Sequence, residues 1–165
     1  MKTFQLLIML LLGSHMTMHA CSTDGAGTNA ETSDQPVGIE DPSENGNGIK
    51  LVIKINSAEF VATLEDNAAA KAFKEMLPMS IGMSELNGNE KYYTMQQSLP
   101  TAAASPGTIH SGDIMLYGSA MLVLFYKTFA TSYSYTRIGR VDDPSGLERA
   151  LGNGIVTITF VTNDN

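Results

Sequence analysis

Five side chains in this sequence combine flat apolar surface with hydrogen-bonding tips. Tyrosine offers a broad ring with a polar hydroxyl, and arginine offers a rigid fork of N–H donors. Three of the five are spaced two residues apart, so an extended strand would place them on one face. This mixture suits the capture of a peptide or small ligand in a groove, and it equally suits the rim of a packed wall. The candidate binding residues are Tyr92, Tyr126, Tyr133, Tyr135 and Arg137.

Residues that support covalent or metal chemistry are few in the region after residue 48. This region has one histidine, His110, and no cysteine. Ser111 and Asp113 are near neighbours of that histidine, but the members of a catalytic triad normally converge from separate segments. One histidine without a second ligand argues against a zinc or transition-metal site. We therefore predict no metal site and no cofactor, and we expect Asp113 to pin a turn by accepting backbone N–H bonds.

Two further motifs have ordinary structural interpretations. Glu90 and Lys91 are adjacent, and we expect them to form an ion pair at a strand end rather than an acid–base couple. Gly152 and Gly154 follow a predicted helix instead of preceding one, so they do not form a phosphate-binding loop.

The negative charge of the chain is concentrated before the predicted domain. The full sequence has a formal net charge of −7. Residues 22–48 contain six acidic residues and no basic one, whereas residues 49–165 contain nine lysines and arginines against eleven aspartates and glutamates. Because the domain is nearly neutral, it lacks the basic surface that nucleic-acid binding requires, and we predict no nucleic-acid partner.

The N-terminus has the features of an export signal. Lys2 precedes the apolar segment Leu6–Leu12, which is too short to span a membrane. The single cysteine, Cys21, follows where such a signal is cleaved, and Ala20-Cys21-Ser22 fits a bacterial lipoprotein signal. We predict a lipoprotein-type signal over residues 1–20, lipidation of Cys21 and anchoring in the cell envelope, in the periplasm or at the outer membrane. The alternative is an ordinary secretory signal with an unpaired cysteine.

The segment after the signal differs sharply in composition from the rest of the chain. Residues 21–48 are polar and acidic, with almost no bulky apolar side chains. Such a segment buries too little surface to offset its ordering entropy, so we predict a flexible acidic tether. Residues 49–165 are long enough for one domain with one core.

Alternating apolar and polar residues predict strands along most of this domain. In residues 49–55, four apolar side chains occupy one face, and Lys50 and Lys54 occupy the other. We expect each strand to turn one face to a core and the other to water, and we expect residues 98–111 to form a long loop. The predicted strands are 49–55, 59–64, 79–85, 90–95, 114–117, 121–126, 136–141 and 155–161.

Two short helices complete the prediction. The first covers Ala68–Leu77 with Asp66 or Asn67 as its N-cap, and the second covers Ser145–Leu151 with an aspartate cap before Pro144. Eight strands joined mostly by turns favour a mainly β fold. We predict an eight-stranded closed or nearly closed antiparallel barrel capped by the two helices, with a half-open barrel or roll as the alternative.

Several short segments together match a known family. They are Leu64-Glu-Asp-Asn67, Leu77-Pro78, Glu90-Lys-Tyr92, Gly112–Tyr117, Leu124-Phe-Tyr126 and Ser132–Gly139. Through these segments the sequence resembles the small bacterial cyclophilin-like proteins, from Ile49 to about Phe160. The resemblance implies an eight-stranded barrel with two helices. It does not imply prolyl isomerase activity, because the Phe-His-Arg and Gln-Gly-Gly-Asp segments of catalytic cyclophilins are missing and the chain has no tryptophan.

These observations lead to one functional hypothesis and two alternatives. The first is an envelope-anchored cyclophilin-like domain that binds a peptide or small ligand without catalysis. The second is a divergent periplasmic peptidyl-prolyl cis–trans isomerase with Arg137 as its candidate catalytic residue. The third is a purely structural interaction module. In each case we expect a monomer that meets the membrane only through its N-terminal anchor.

Overall fold

The structure is a computed structural model that describes residues 48–163. The predicted signal, Cys21 and nearly all of the predicted tether therefore lie outside the described residues. Within residues 48–163, no helix is long and apolar enough to cross a membrane. The elements are β1 Lys50–Ile55, β2 Ala58–Leu64, α1 Ala68–Lys74, β3 Met79–Leu86, β4 Glu90–Thr94, β5 Thr108–Ile109, β6 Asp113–Tyr117, β7 Met121–Phe125, β8 Phe129–Ala130, β9 Thr136–Val141, α2 Leu147–Leu151 and β10 Val156–Thr162.

Eight of these strands form a closed antiparallel barrel. Their order around the barrel is β1-β10-β3-β4-β7-β6-β9-β2, and β1 closes it by pairing with both β2 and β10. The predicted mainly β fold, an eight-stranded antiparallel barrel with two short helices, is confirmed. The two remaining strands, β5 and β8, form a separate two-stranded ribbon. Strand β5 lies in the predicted loop 98–111, and β8 lies between two predicted strands, in a segment for which no strand is predicted.

The barrel interior is filled by side chains from alternate strand positions. Ile53 pairs with Phe60 on one neighbouring strand and with Phe160 on the other, and all three side chains are buried. Helix α1 contributes Phe73, whose ring meets the edge of Phe160 at a centroid distance of 5.6 Å. An eight-stranded barrel is just wide enough for such side chains to fill it.

Helix α1 begins at Ala68 as predicted but ends at Lys74 instead of Leu77. Beyond Lys74 the chain makes a tighter turn, in which the Met76 and Leu77 N–H groups donate to the Phe73 and Lys74 carbonyl oxygens. Asn67 caps α1 by accepting a hydrogen bond from the Ala70 N–H at 2.8 Å. Helix α2 begins at Leu147, two residues later than predicted. The reason is that Asp143 accepts the Ser145 N–H at 2.9 Å, which makes a turn, and Gly146 then adopts a φ of 83° before the helix starts.

Strands β6 and β7 are buried on both faces. Ile114 and Leu124 point into the barrel core, whereas Met115, Val123 and Phe125 belong to a second apolar cluster outside it. The expectation that each strand turns one face to water is therefore wrong for these two strands. Burial on both faces explains why their sequences are continuous apolar runs instead of alternating ones.

Candidate functional site

An apolar cluster lies on the outer face of the barrel, separate from the barrel core. We call it the outer cluster; its buried members are Ile109, Met115, Val123, Phe125 and Tyr135. Met115, Val123 and Phe125 come from β6 and β7, and Ile109 comes from the β5–β8 ribbon. The rings of Phe125 and Tyr135 meet edge to face at a centroid distance of 5.5 Å. Two grooves flank this cluster.

An irregularity in β9 directs two arginines to the outer face. Ile114 of β6 pairs with Gly139, but the next residue, Met115, pairs with Arg137, so Ile138 is an extra residue in β9. Such a β-bulge shifts the alternation of the strand by one residue. As a result, Arg137 and Arg140 are both exposed, although they are three residues apart.

The first groove, which we call the arginine groove, encloses a cavity of about 410 Å³. Its walls are held by local hydrogen bonds. The Asn67 side-chain amide donates to the Arg137 carbonyl oxygen at 2.9 Å, and the backbones of Ala104 and Tyr135 exchange two bonds of 3.0 Å. The groove is lined by Glu65, Asn67, Ala102, Ala104, Ser105, Pro106, Met115, Tyr135, Thr136 and Arg137.

The Arg137 guanidinium is available for a ligand. It is exposed, and it has no hydrogen-bond or ion-pair partner among residues 48–163. Met115 and Tyr135 supply apolar surface in the same groove. The groove therefore combines a free planar donor group with an apolar wall.

The second groove, which we call the tyrosine groove, encloses a cavity of about 280 Å³. Tyr117 meets Tyr133 at a centroid distance of 6.1 Å and an angle of 90°, and it meets Tyr135 at 5.6 Å and 54°. Tyr135 lines both grooves. The lining residues are Leu86, Asn87, Glu90, Tyr117, Met121, Val123, Tyr133 and Tyr135.

Glu90 is an acidic group buried in the wall of the tyrosine groove. Its relative exposure is 9%, and its carboxyl has no hydrogen-bond or ion-pair partner among residues 48–163. Burial raises the pKa of Glu90 to about 6, and the negative charge of Glu85 contributes to this rise. The groove thus contains a carboxyl group that the described part of the chain does not neutralise.

The predicted ion pair between Glu90 and Lys91 is wrong. Adjacent residues of a strand point to opposite faces, so Lys91 points away from Glu90 into the barrel. The fully buried Lys91 ammonium lies 2.6 Å from Glu85 and donates to the carbonyl oxygens of Gly152 and Gly154 at 2.8 and 2.7 Å. Lys91 therefore ties β4 to β3 and to the segment that follows α2.

The structure does not bring the five predicted binding residues together. Tyr133, Tyr135 and Arg137 line the two grooves. Tyr92 is half-buried and packs against the outer cluster without lining either groove. Tyr126 is buried elsewhere, where its hydroxyl donates to Glu85 at 2.7 Å. Burial and the nearby Glu85 raise the pKa of Tyr126.

Asp113 has the turn-pinning role expected from the sequence. It is fully buried and accepts the His110 backbone N–H at 2.8 Å. Ser111 donates its hydroxyl to the Tyr126 carbonyl oxygen at 3.1 Å, so it is not paired with the histidine ring. Across residues 48–163, no group of three or more His, Cys, Asp or Glu side chains is placed to hold a metal ion.

Two important residues of the tyrosine groove are missing from the sequence-based prediction. That prediction includes Tyr117 only as the last residue of the predicted strand 114–117, and it assigns Glu90 to an ion pair with Lys91. The strand alternation alone would have placed both residues on the outer face of the barrel, since Glu90 and Tyr117 occupy outward positions of β4 and β6. The alternation does not reveal that the β6–β7 and β4–β7 pairings bring these outward positions to a common cavity.

Comparison with solved structures supports the fold. The solution structure of a hypothetical protein from Archaeoglobus fulgidus is similar to this chain with a TM-score of 0.54 and 19% sequence identity, over 73% of this chain and 98% of the other. Comparison with curated proteins gives no significant match.

Comparison with protein families gives one further result. The sequence model of the Cyclophilin-like family matches residues 53–161, which extend from β1 to β10. The match includes both helices, the outer cluster and the lining of both grooves. The chain belongs to the Cyclophilin-like family.

Proposed function

We propose that this domain binds an extended peptide on the outer face of the barrel without catalysing a reaction. The observation that carries the proposal is that two grooves of different chemistry share Tyr135 in their walls. One offers the unpartnered Arg137 guanidinium, and the other offers tyrosine rings. An extended peptide presents polar backbone groups and side chains. The arginine groove complements the backbone groups, and the adjacent tyrosine groove complements the apolar parts of the side chains.

The arginine groove matches the chemistry of a peptide group. Each peptide group has one acceptor and, except at proline, one donor. Arg137 donates only, and Glu65, which lines the same groove, accepts. Met115 and Tyr135 then provide an apolar surface for a side chain such as proline.

The substitution Arg137→Ala tests this proposal. The probe is a blocked alanine- and proline-containing peptide, titrated into the full chain while backbone amide signals are recorded by NMR. We expect the signals of Ala104 and Arg137 to shift, and we expect Arg137→Ala to weaken binding by about tenfold, since a hydrogen bond to a charged group contributes ~1.5 kcal/mol or more. Arg149→Ala, at an exposed arginine of α2, is the control and should leave binding unchanged. Unmoved signals at millimolar peptide, or equal affinity in Arg137→Ala, would contradict the proposal.

A divergent prolyl isomerase is the second candidate. The observation that favours it is the placement of Arg137 beside the apolar Met115 in one groove. A guanidinium that donates to the prolyl nitrogen would lower a barrier of about 20 kcal/mol without any covalent step. A protease-coupled assay with a proline peptide decides the matter. No acceleration at high protein concentration excludes the activity, and full activity in Arg137→Ala excludes this residue as the catalyst.

We also propose that the domain is exported and lipid-anchored in a bacterial envelope. The support is sequence alone: Lys2, the apolar Leu6–Leu12 and Cys21 in the order of a lipoprotein signal. Mass spectrometry of the protein purified from bacterial membranes should find a lipid on Cys21. A soluble product with an unmodified Cys21 would contradict the anchor.

A further inference from the structure

The tyrosine groove has the two features of a site for an organic cation. The first is a set of aromatic rings held at steep angles, with Tyr117 perpendicular to Tyr133 and tilted against Tyr135. Rings in this arrangement enclose a corner in which more than one aromatic face can meet one positive group. The faces of aromatic rings attract ammonium groups, and quaternary ammonium ions are bound in this way.

The second feature is the buried carboxyl of Glu90 in the same cavity. Glu90 as a residue is only 9% exposed, and the carboxyl of such a residue normally has a cation or several N–H donors as partners. Glu90 has no such partner among residues 48–163. The nearest lysine in sequence, Lys91, points into the barrel and is fully used by Glu85 and two carbonyl oxygens. The negative charge therefore faces a cavity without a counter-ion from the described part of the chain.

The exposure of the rings also favours a ligand over internal packing. Tyr117 and Tyr133 are 44% and 61% exposed, so much of the surface of both residues is open to solvent. Tyr135, in contrast, is 8% exposed and is held by Phe125 and by backbone bonds to Ala104. The groove thus has one fixed wall and two open rings.

We propose that the tyrosine groove binds an ammonium or methylated ammonium group between Tyr117, Tyr133 and Tyr135, with Glu90 as its counter-ion. The group belongs either to a lysine side chain of a peptide or to a small amine such as choline. In the first case the inference rests on the proposed function, because the lysine would be part of the same bound peptide. In the second case it is independent of peptide binding.

Titration of the full chain with tetramethylammonium chloride, followed by NMR, tests the site directly. We expect the ring signals of Tyr117, Tyr133 and Tyr135 to shift, whereas potassium chloride at equal ionic strength should not shift them. Choline should bind, and its uncharged analogue 3,3-dimethylbutan-1-ol should bind at least about tenfold more weakly, because a desolvated cation–π contact contributes ~1.5–2 kcal/mol.

Three variants separate the contributions of the residues. Glu90→Gln keeps the shape of the side chain and should weaken tetramethylammonium binding by about tenfold. Tyr133→Phe keeps the ring and should retain binding, whereas Tyr133→Ala should lose it; the side chain is 61% exposed, so neither change threatens the fold. Equal binding by the uncharged analogue, or full binding in Glu90→Gln, would overturn the proposal.

A second pair of probes identifies the source of the cation. A blocked peptide containing lysine and proline is compared with the same peptide containing norleucine. Preference for the lysine peptide assigns the cation to a peptide, and equal affinity for both peptides with retained choline binding assigns it to a small amine.

The two proposals can also fail separately. If the proline peptide binds and depends on Arg137 while tetramethylammonium does not bind, the cation-site proposal is wrong and the proposed function stands. If tetramethylammonium binds and no peptide does, the cation site stands and the proposed function is wrong.

Discussion

Glu90 occupies an unfavourable position for a carboxylate. Its side chain is buried beside tyrosine rings, and the charge that contributes to its raised pKa is that of Glu85, which has the same sign. Glu85 lies in the opposite situation. Burial alone would raise the pKa of Glu85, but hydrogen bonds from Lys91 and Tyr126 outweigh it and hold the pKa below its usual value. The carboxyl of Glu85 in β3 is therefore stabilised in its charged form, whereas the carboxyl of Glu90 in β4 is destabilised in its charged form.

Because Glu90 is buried, we expect the stability of the fold to depend on pH. The pKa of Glu90 rises from 4.5 to about 6 on folding, so the folded protein binds this proton more tightly than the unfolded chain. Stability therefore falls as the pH rises from about 4.5 to about 6, and the loss is complete above that range. Glu90→Gln removes the charge and should stabilise the protein by roughly 2 kcal/mol at pH 7.5, with a smaller gain at pH 5.

Urea unfolding at the two pH values measures this effect. Glu59→Gln, at an exposed carboxyl that pairs with Lys54, is the control and should change stability by no more than about 0.5 kcal/mol. A Glu90→Gln variant that is less stable than the wild type at pH 7.5 would show that the carboxylate is satisfied in the fold. If Glu90→Gln stabilises the protein and also weakens cation binding, Glu90 is a residue retained for binding at the expense of stability.

At the scale of elements, the bulge in β9 sets the direction of Arg137. Next to the extra residue Ile138, Gly139 lies directly against β2. A Cβ atom at this position would lie 2.5 Å from the Thr63 carbonyl oxygen and 3.1 Å from the Leu64 Cα atom. Both contacts involve backbone, which cannot rotate away as a flexible side chain can.

Gly139→Ala should therefore destabilise the protein by about 2 to 3 kcal/mol. It should also weaken peptide binding, since β9 would have to move away from β2 and take Arg137 with it. Gly154→Ala is the matched control: a Cβ atom there meets nothing within 4 Å, so its stability should stay close to that of the wild type. Thermal unfolding of both variants measures the difference. Equal melting temperatures would show that β9 and β2 adjust without cost.

Strands could be predicted from the sequence where they are long enough to show alternating apolar and polar residues. The eight barrel strands have five to eight residues each, and in most of them the apolar face is visible in the sequence. Strands β5 and β8 have two residues each, which is too short for any periodic signal. The bulge at Ile138 was equally hidden, because an extra residue in β9 is defined only by its pairing with β6.

The site was less predictable than the fold for a related reason. Tyr133, Tyr135 and Arg137 lie close together in sequence, and the sequence alone identified them. Glu90 and Tyr117 reach the same cavity as Tyr133 only through strand pairing around the barrel. A single sequence contains the alternation of each strand but not the register between distant strands.

At the scale of the described domain, the buried apolar side chains form two separate clusters. The barrel core is built from inward side chains of the barrel strands, and the outer cluster is built mainly from β6, β7 and Tyr135. Both grooves lie against the outer cluster. Substitution of an exposed groove residue should therefore change binding without changing the barrel core, which is why the variants proposed above are informative.

The described domain also contains a cavity that can serve as a negative control in binding experiments. This further cavity of about 630 Å³ is lined by residues of β3 and β4 and of the segments that follow α1 and β4, including Met76, Met79 and Gln97. It shares no lining residue with the two grooves. Its lining has neither an arginine nor a glutamate. If a peptide binds specifically in the grooves, the backbone amide signals of the residues that line this cavity should not shift. Shifts of these signals would indicate nonspecific association with cavities.

The central claim is that the outer face of the barrel is a binding surface for an extended peptide. The most direct measurement is an NMR titration of the full chain with a blocked peptide containing lysine and proline, read at every assigned backbone amide. We expect saturable shifts at Ala104, Tyr133, Tyr135 and Arg137, with Gln97 unmoved. Shifts that are absent at millimolar peptide, or that are confined to Gln97 and its neighbours, would contradict it.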